Sequence, residues 1–112
     1  PRDAEALVRI GHAVSFLEEH FAEDVSIDGL AKSIDMPYRT FFTAFSDAVG
    51  CSPSAYLLNV RMARAVDLLR NTSRTVKDVA AAVGYRDPAY FARQFKAHAG
   101  LTPREFRRRS AQ

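Results

Sequence analysis

The 112-residue sequence predicts an all-α fold of about seven helices, arranged as two similar units joined by a long central helix. Three observations carry that expectation. Apolar residues recur at helical spacing almost throughout, beginning with the stripe Leu7, Ile10, Val14, Leu17 and Phe21, while β-type alternation is hard to find. Ser, Thr, Asp, Pro and Gly stand where helices start and stop. The same punctuation then recurs about fifty positions later.

Taken in order, the first helix is expected from about Asp3 to His20, with Asp3 and Glu5 suited to the positive end of its dipole. Glu23-Asp24-Val25-Ser26 ends it, and Ser26 caps a second helix, roughly Ile27 to Ile34, whose core residues are Ile27, Leu30, Ala31 and Ile34. Pro37 suits the first turn of a third helix, about Pro37 to Val49, with Phe41, Ala44, Phe45 and Ala48 on its buried face and Gly50 as its stop. Ser52-Pro53 opens a fourth helix to about Arg70, roughly 27 Å long, with Tyr56, Leu57, Val60, Ala63, Leu68 and Leu69 available for packing. Asn71-Thr72-Ser73 breaks the pattern. Thr75 and Asp78 form a capping-box-like start for a fifth helix carrying Val76, Val79, Ala80 and Val83, which Gly84 closes. Asp87-Pro88 opens a sixth with Phe91 and Phe95, ending at Gly100, and Thr102-Pro103 opens a seventh through Phe106. The polar, basic tail from Arg107 to Gln112 is expected to fray.

Laid over one another, residues 26–56 and 75–106 reveal an internal repeat. Ser26 matches Thr75, and Ile27, Leu30, Ala31 and Ile34 fall on Val76, Val79, Ala80 and Val83, all displaced by 49. After one extra residue in the second turn, Phe41, Phe45, Gly50, Ser52-Pro53 and Tyr56 fall on Phe91, Phe95, Gly100, Thr102-Pro103 and Phe106. A short helix, a tight turn, a longer helix and a capped exit make up a helix-turn-helix unit. Ala31 and Ala80 are small where the second helix must cross the first closely. The expected organisation is residues 1–51 for the N-terminal helix and first unit, 52–72 for the linking helix, and 73–112 for the second unit and basic tail.

With 47% apolar residues, the chain has material for one compact domain or two very small ones sharing a helix. It contains neither a long apolar run nor a signal-like start, so a soluble cytoplasmic protein with no membrane association is expected. The abrupt beginning at Pro1 suggests a piece of a longer protein. Cys51 is the single cysteine, so the chain cannot close a disulfide on itself; its place before a helix N-terminus could favour a thiolate, and an inert packed thiol is the simpler reading. His12 and His20 lie eight residues apart on one helix, too far for one metal ion. With no HExxH, CxxC or Gly-rich phosphate loop, neither catalysis nor a metal or other cofactor is expected.

The net charge of +3 conceals a division. Residues 1–56 hold four basic against nine acidic side chains, whereas residues 57–112 hold twelve against four. A polyanion would be drawn mainly to the second half.

At finer grain, Gly84-Tyr85-Arg86-Asp87, Tyr90-Phe91-Ala92-Arg93-Gln94-Phe95-Lys96, Gly100-Leu101-Thr102-Pro103 and Phe106-Arg107 resemble the C-terminal signature of AraC/XylS-type transcription regulators. The resemblance runs from about Ala6 to Arg109. It implies two helix-turn-helix subdomains bound to double-stranded DNA, with the third and sixth helices as recognition helices. It also implies a sensor or dimerisation domain before Pro1 and RNA polymerase as a partner. The first unit departs from the family pattern, which usually has Ser at the place of Pro37 and commonly Arg at the place of Thr43.

A recognition helix reads base edges with an outward stripe spaced i, i+3, i+4, opposite its core residues. On the third helix that stripe is Arg39, Phe42, Thr43 and, at its edge, Ser46: Arg39 suits a guanine, Thr43 a hydrogen bond or thymine methyl, and Phe42 thymine methyls. Phe42 has a second reading, as a cover for the core or for an absent partner domain. On the sixth helix, the resemblance assigns Pro88, Ala89, Ala92 and Arg93 to the groove. Arg93 is the foremost base reader, or alternatively a surface arginine paired with Asp87. Ser26 and Thr75 at helix caps, Arg86 in the turn and Lys96 are candidates for phosphate contact. Arg104, Arg107, Arg108 and Arg109 either add attraction or form a solvated face. For both helices to enter successive major grooves they must lie about 34 Å apart. A competing function is a protein-interaction module, contacting a sensor domain or RNA polymerase, with weak DNA affinity because its first half is acidic.

Overall fold

The computed structural model describes residues 2–111, with side chains described for residues 4–111. Seven α-helices account for the regular structure among these: α1 (Arg2–Glu19), α2 (Ile27–Ser33), α3 (Tyr38–Val49), α4 (Pro53–Asn71), α5 (Val76–Ala82), α6 (Pro88–Ala99) and α7 (Pro103–Ser110). The chain divides into two compact units, Pro1–Val60 and Arg61–Gln112, with the boundary inside α4. The Asp3 side chain, expected at the N-terminus of α1, and Gln112 lie outside the described residues.

In the first unit α3 packs against both α1 and α2. Its core gathers Ile10, Ala13 and Leu17 of α1, Leu30 and Ala31 of α2, Met36 of the turn, Phe41 and Phe45 of α3 and Leu57 of α4. The buried stripe of α1 differs from the expected one at its start: Leu7 is 60% exposed, while Ala6 packs against the core. At about 100° per residue, Leu7 lies roughly a quarter-turn from the centre of the face defined by Ala6, Ile10, Ala13 and Leu17. Small alanines occupy that face because α3 approaches closely there. Ala48, at the far end of α3, is likewise exposed, contrary to expectation.

In the second unit α6 packs against α5 and α7. Its buried residues are Met62, Ala65 and Leu69 of α4, Val79 and Ala80 of α5, Val83 and Tyr85 of the turn, Phe91 and Phe95 of α6, and Pro103 of α7. Around the middle of α4, Met62 and Ala65 are buried, whereas Ala63, expected inside, faces solvent. Helix α4 also runs through Asn71, whose amide bonds the Asp67 carboxylate one turn earlier at 2.7 Å.

The internal repeat is reproduced in three dimensions, turn by turn. Asp35 and Gly84, 49 positions apart, both take left-handed backbone conformations, at φ 57° and 102°. The next residue in each unit reaches back: Met36 N–H bonds the Ala31 carbonyl at 3.0 Å, and Tyr85 N–H the Ala80 carbonyl at 2.9 Å. This closes the first helix and drops Met36 and Tyr85 into the two cores. Asp is one of the few non-glycine residues that tolerate this conformation. Ala31 and Ala80 are fully buried, as the close crossing requires.

The exits repeat as well. Gly50 and Gly100, at φ 95° and 83°, end α3 and α6 with N–H bonds to the Ser46 and Lys96 carbonyls. Ser52 and Thr102 cap the next helices by accepting from the N–H groups of Ala55 and Glu105, each at 3.1 Å. Tyr56 meets Phe45 edge-on at 5.8 Å between ring centroids, and Phe106 meets Phe95 edge-on at 5.7 Å. Pro37, expected within the first turn of α3, is its N-cap instead and offers no side-chain acceptor. At α7, Thr102 and Glu105 form both reciprocal bonds of a capping box. At α5 the Thr75 hydroxyl accepts from Asp78 N–H at 3.0 Å; Asp78, one methylene shorter than Glu, is less able to return the bond.

Phe45→Ala removes a fully buried ring and is expected to cost about 3–5 kcal/mol in urea denaturation, against less than about 0.5 kcal/mol for Leu7→Ala. The Tyr56 hydroxyl donates to Glu18 Oε2 at 2.6 Å, and this bond, with burial, pushes the phenol up to about 12. A raised folded-state value makes its stabilisation complete below the ordinary phenol value of about 10, and lost as pH rises through 12. The stability difference between wild type and Tyr56→Phe should accordingly shrink across that interval in alkaline denaturation.

Candidate nucleic-acid interface

Each unit presents its second helix as an outward face, and the inward aromatics determine which face that is. In α3, Phe41 and Phe45 are fully buried with ring centroids 5.7 Å apart; in α6, Phe91 and Phe95 are fully buried at 5.8 Å. One turn apart on each helix, they leave the opposite stripe to solvent. Arg39, Phe42 and Thr43 are all exposed on α3, while Ser46 is half-buried. Phe42, at 42% exposure, leans towards Tyr38 with centroids 6.3 Å apart, so its ring belongs to the outward face.

On α6, Ala89 and Arg93 are exposed and Pro88 and Ala92 half-buried. Repeat register aligns Tyr38, Arg39, Phe42 and Thr43 with Pro88, Ala89, Ala92 and Arg93, so equivalent faces carry different chemistry. Each face holds one arginine, displaced by one helical turn between the units. Asp87 caps α6 by accepting from Ala89 N–H at 3.0 Å. The suggested pairing of Arg93 with Asp87 is not formed: the Arg93 guanidinium carbon lies instead 5.8 Å from the centroid of the Tyr90 ring.

Ser26 and Thr75 are exposed caps of α2 and α5, with their hydroxyls accepting from Gly29 and Asp78 N–H at 3.0 Å. Arg86 in the turn and Lys96 on α6 are exposed. The second unit thus exposes Arg93 and Lys96 on α6 and Arg86 in the turn before it. The outward face of the first has Arg39, with Asp47 bordering the same shallow groove alongside Thr40, Thr43 and Ala44. An acidic group there weakens the attraction of that face for a polyanion.

The basic C-terminal run differs from the expectation of a frayed tail. Helix α7 extends to Ser110, and Arg107 is half-buried, its Nε donating to the Leu69 carbonyl at 3.0 Å and its Nη2 to the Thr72 carbonyl at 3.3 Å. A guanidinium here satisfies carbonyls at the C-terminal end of α4, where the helix dipole favours a cation. Arg104, Arg108 and Arg109 remain exposed. Glu105 sits among them, its carboxyl held below the usual carboxylate range by the Thr102 N–H and hydroxyl, with smaller contributions from Lys96 and Arg108.

Sequence reasoning passed over two aromatics on these faces, Tyr38 and Tyr90, each 47% exposed. The available signal was their spacing: Tyr38 is four residues before Phe42, and Tyr90 three before Arg93. Other chemistry is sparse. Among the described residues no three potential metal ligands converge, Cys51 is a half-buried free thiol, and no helix is long and apolar enough to cross a membrane. His20 stacks on Phe16 at 4.5 Å and its Nδ1 lies 2.6 Å from Glu23 Oε2.

Comparison with known proteins agrees with this geometry. The model of a helix-turn-helix domain family matches residues 30–109. The chain is 34% identical over 98 residues to the lactose operon transcription activator of Staphylococcus xylosus, an alignment covering 88% of this chain and 35% of that protein. Among solved structures it resembles a transcriptional regulator from Chromobacterium violaceum, described as AraC-type DNA-binding domain-containing, with a TM-score of 0.83, 31% identity and 97% of each chain covered. It also resembles the DNA-binding domain of the global transcriptional factor AdpA in complex with a target DNA, with a TM-score of 0.82, 28% identity and 88% of each chain covered. The chain spans about a third of the length of the curated relatives it matches.

If Arg107 serves the fold, Arg107→Ala should lower thermal stability by about 1–3 kcal/mol through its lost charge-assisted hydrogen bonds, with Arg108→Ala close to wild type.

Proposed function

Because the chain belongs to the AraC-type helix-turn-helix family of DNA-binding domains, we propose that it is the sequence-specific DNA-binding module of a bacterial transcription regulator, inserting α3 and α6 into successive major grooves. The observation that carries this reading is the duplicated aromatic register, Phe41/Phe45 and Phe91/Phe95, which turns equivalent stripes outward in two helix-turn-helix units. The solved complex of the similar AdpA domain with its target DNA supports it.

In this reading Arg93 reads a base edge from α6, with Pro88, Ala89 and Ala92 keeping the helix close to the groove floor and meeting thymine methyls. Arg39, Phe42 and Thr43 read from α3. Ser26 and Thr75 contact phosphate while still capping their helices, and Arg86 and Lys96 add charge-assisted phosphate contacts that hold register. The second unit, with its exposed basic residues, anchors the module; the first, with Asp47 lining the same groove as Arg39, tunes it. A sensor or dimerisation domain and RNA polymerase are proposed partners of the whole regulator, consistent with the greater length of its relatives.

The alternative of a module devoted chiefly to protein contacts predicts little salt dependence of DNA binding. With two cationic phosphate contacts, Arg86 and Lys96, the logarithm of the binding constant should fall against the logarithm of salt concentration with a slope of about −2, and Lys96→Ala should reduce that slope by about 1. Arg93→Ala should weaken binding to the preferred site by about 1–3 kcal/mol and relax selection at one base pair, measured by fluorescence anisotropy and selection from random DNA. Binding that is insensitive to salt and to Arg93 would overturn the proposal.

A further inference from the structure

Tyr90 has no place in the hydrophobic core, yet its ring is held from two sides. The Tyr85 ring centroid lies 5.9 Å away, and the Arg93 guanidinium carbon 5.8 Å from the Tyr90 centroid. Tyr85 is itself anchored. It is buried, its ring lies 5.3 Å from that of Phe91, its N–H bonds the Ala80 carbonyl, and the Arg61 guanidinium carbon lies 5.6 Å from its ring centroid. A continuous series of ring contacts therefore leads from the fully buried Phe91 through Tyr85 and Tyr90 to the exposed Arg93, all within the second unit.

Arginine is long and flexible, and bidentate recognition of a base requires its planar group in one orientation. A guanidinium stacked on an aromatic face loses much of that freedom before the partner arrives. Tyr90, three residues before Arg93, stands on the same side of α6. The first unit offers a contrast. Thr40 occupies the position equivalent to Tyr90, and among the described residues no hydrogen bond, ion pair or ring contact holds the Arg39 guanidinium.

Resting on the reading of α6 as a recognition helix, we infer that Tyr90 is a positioning residue: its ring holds the Arg93 guanidinium ready for a base edge, so selection at one base pair depends on a side chain that need not touch that base. The phenol hydroxyl has no part in this role. Loss of the ring frees Arg93 and blurs the choice of base without removing the contact altogether.

Selection from randomised duplex DNA tests this with wild type, Tyr90→Phe, Arg93→Ala, and two ring-less variants of different polarity, Tyr90→Leu and Tyr90→Gln, each also combined with Arg93→Ala. Tyr90→Phe should select as wild type does. The ring-less variants should lose about two- to fivefold of the preference at the base pair that Arg93→Ala erases, with other positions unchanged and no further effect when Arg93 is already alanine. Equal damage from Tyr90→Phe, a uniform loss of affinity across sequences, or an effect that persists without Arg93 would each overturn the positioning role. If Arg93→Ala alters selection and the ring-less variants do not, only that role falls. If Arg93→Ala leaves selection unchanged, the recognition reading of α6 falls with it. Thermal melting of each variant separates these outcomes from a folding defect, which the 47% exposure of Tyr90 makes small.

Discussion

Two phenylalanines one helical turn apart, buried to the last of their surface, orient each unit. Phe41 and Phe45 pin α3, and Phe91 and Phe95 pin α6. Burying an aromatic side chain is worth roughly 1.5–3 kcal/mol, so rotating either helix to exchange its faces would forfeit several kcal/mol. Everything that makes the outward stripes useful depends on that constraint. Once the phenylalanines face inward, Arg39, Phe42 and Thr43 on one helix and Ala89 and Arg93 on the other are turned away from the core and exposed. The supporting parts converge on the same pairs: Tyr56 and Phe106 meet Phe45 and Phe95 edge-on, and the left-handed turn residues return Met36 and Tyr85 to the cores beneath.

Against this shared frame the two units have diverged in charge. The second carries Arg86, Arg93 and Lys96 around its outward helix, and its one acidic cap, Asp87, is occupied with the Ala89 N–H. The first sets Asp47 about two turns along the same helix from Arg39, lining the same shallow groove. Long-range attraction to a polyanion is therefore concentrated in the second unit, while the outward helix of the first presents mainly hydrogen-bonding and apolar groups. The turn residues differ in a similar way: glycine enters the left-handed region freely at position 84, whereas Asp35 does so at some cost.

The arginines of the second unit also divide by role. Arg107 terminates α4 through the Leu69 and Thr72 carbonyls, Arg61 covers Tyr85, and Arg93 rests against Tyr90 at the outward face. A count of basic residues treats these as one positive surface. Their partners separate them into groups that hold the fold and groups that remain available to a ligand, which matters more for recognition than the net charge.

Much of this was legible from the sequence because its determinants are local. Caps, prolines and glycines mark helix ends through backbone chemistry within four residues, and the paired phenylalanines declare the buried face of α3 and α6 by their spacing. The repeat was visible for the same reason, and with it the outward stripes. What the sequence left open depends on neighbours distant along the chain. Periodicity favoured Leu7 and Ala63 for the core, but close approach of other helices selected Ala6, Met62 and Ala65 instead. Arg107 read as part of a solvated tail because its carbonyl partners lie more than thirty residues earlier. Tyr90 read as one more letter of a family signature, since its buttress, Tyr85, becomes a buried neighbour only once the turn has closed. Local chemistry thus determined which surfaces exist, and tertiary packing decided which side chains on them are held, and by what.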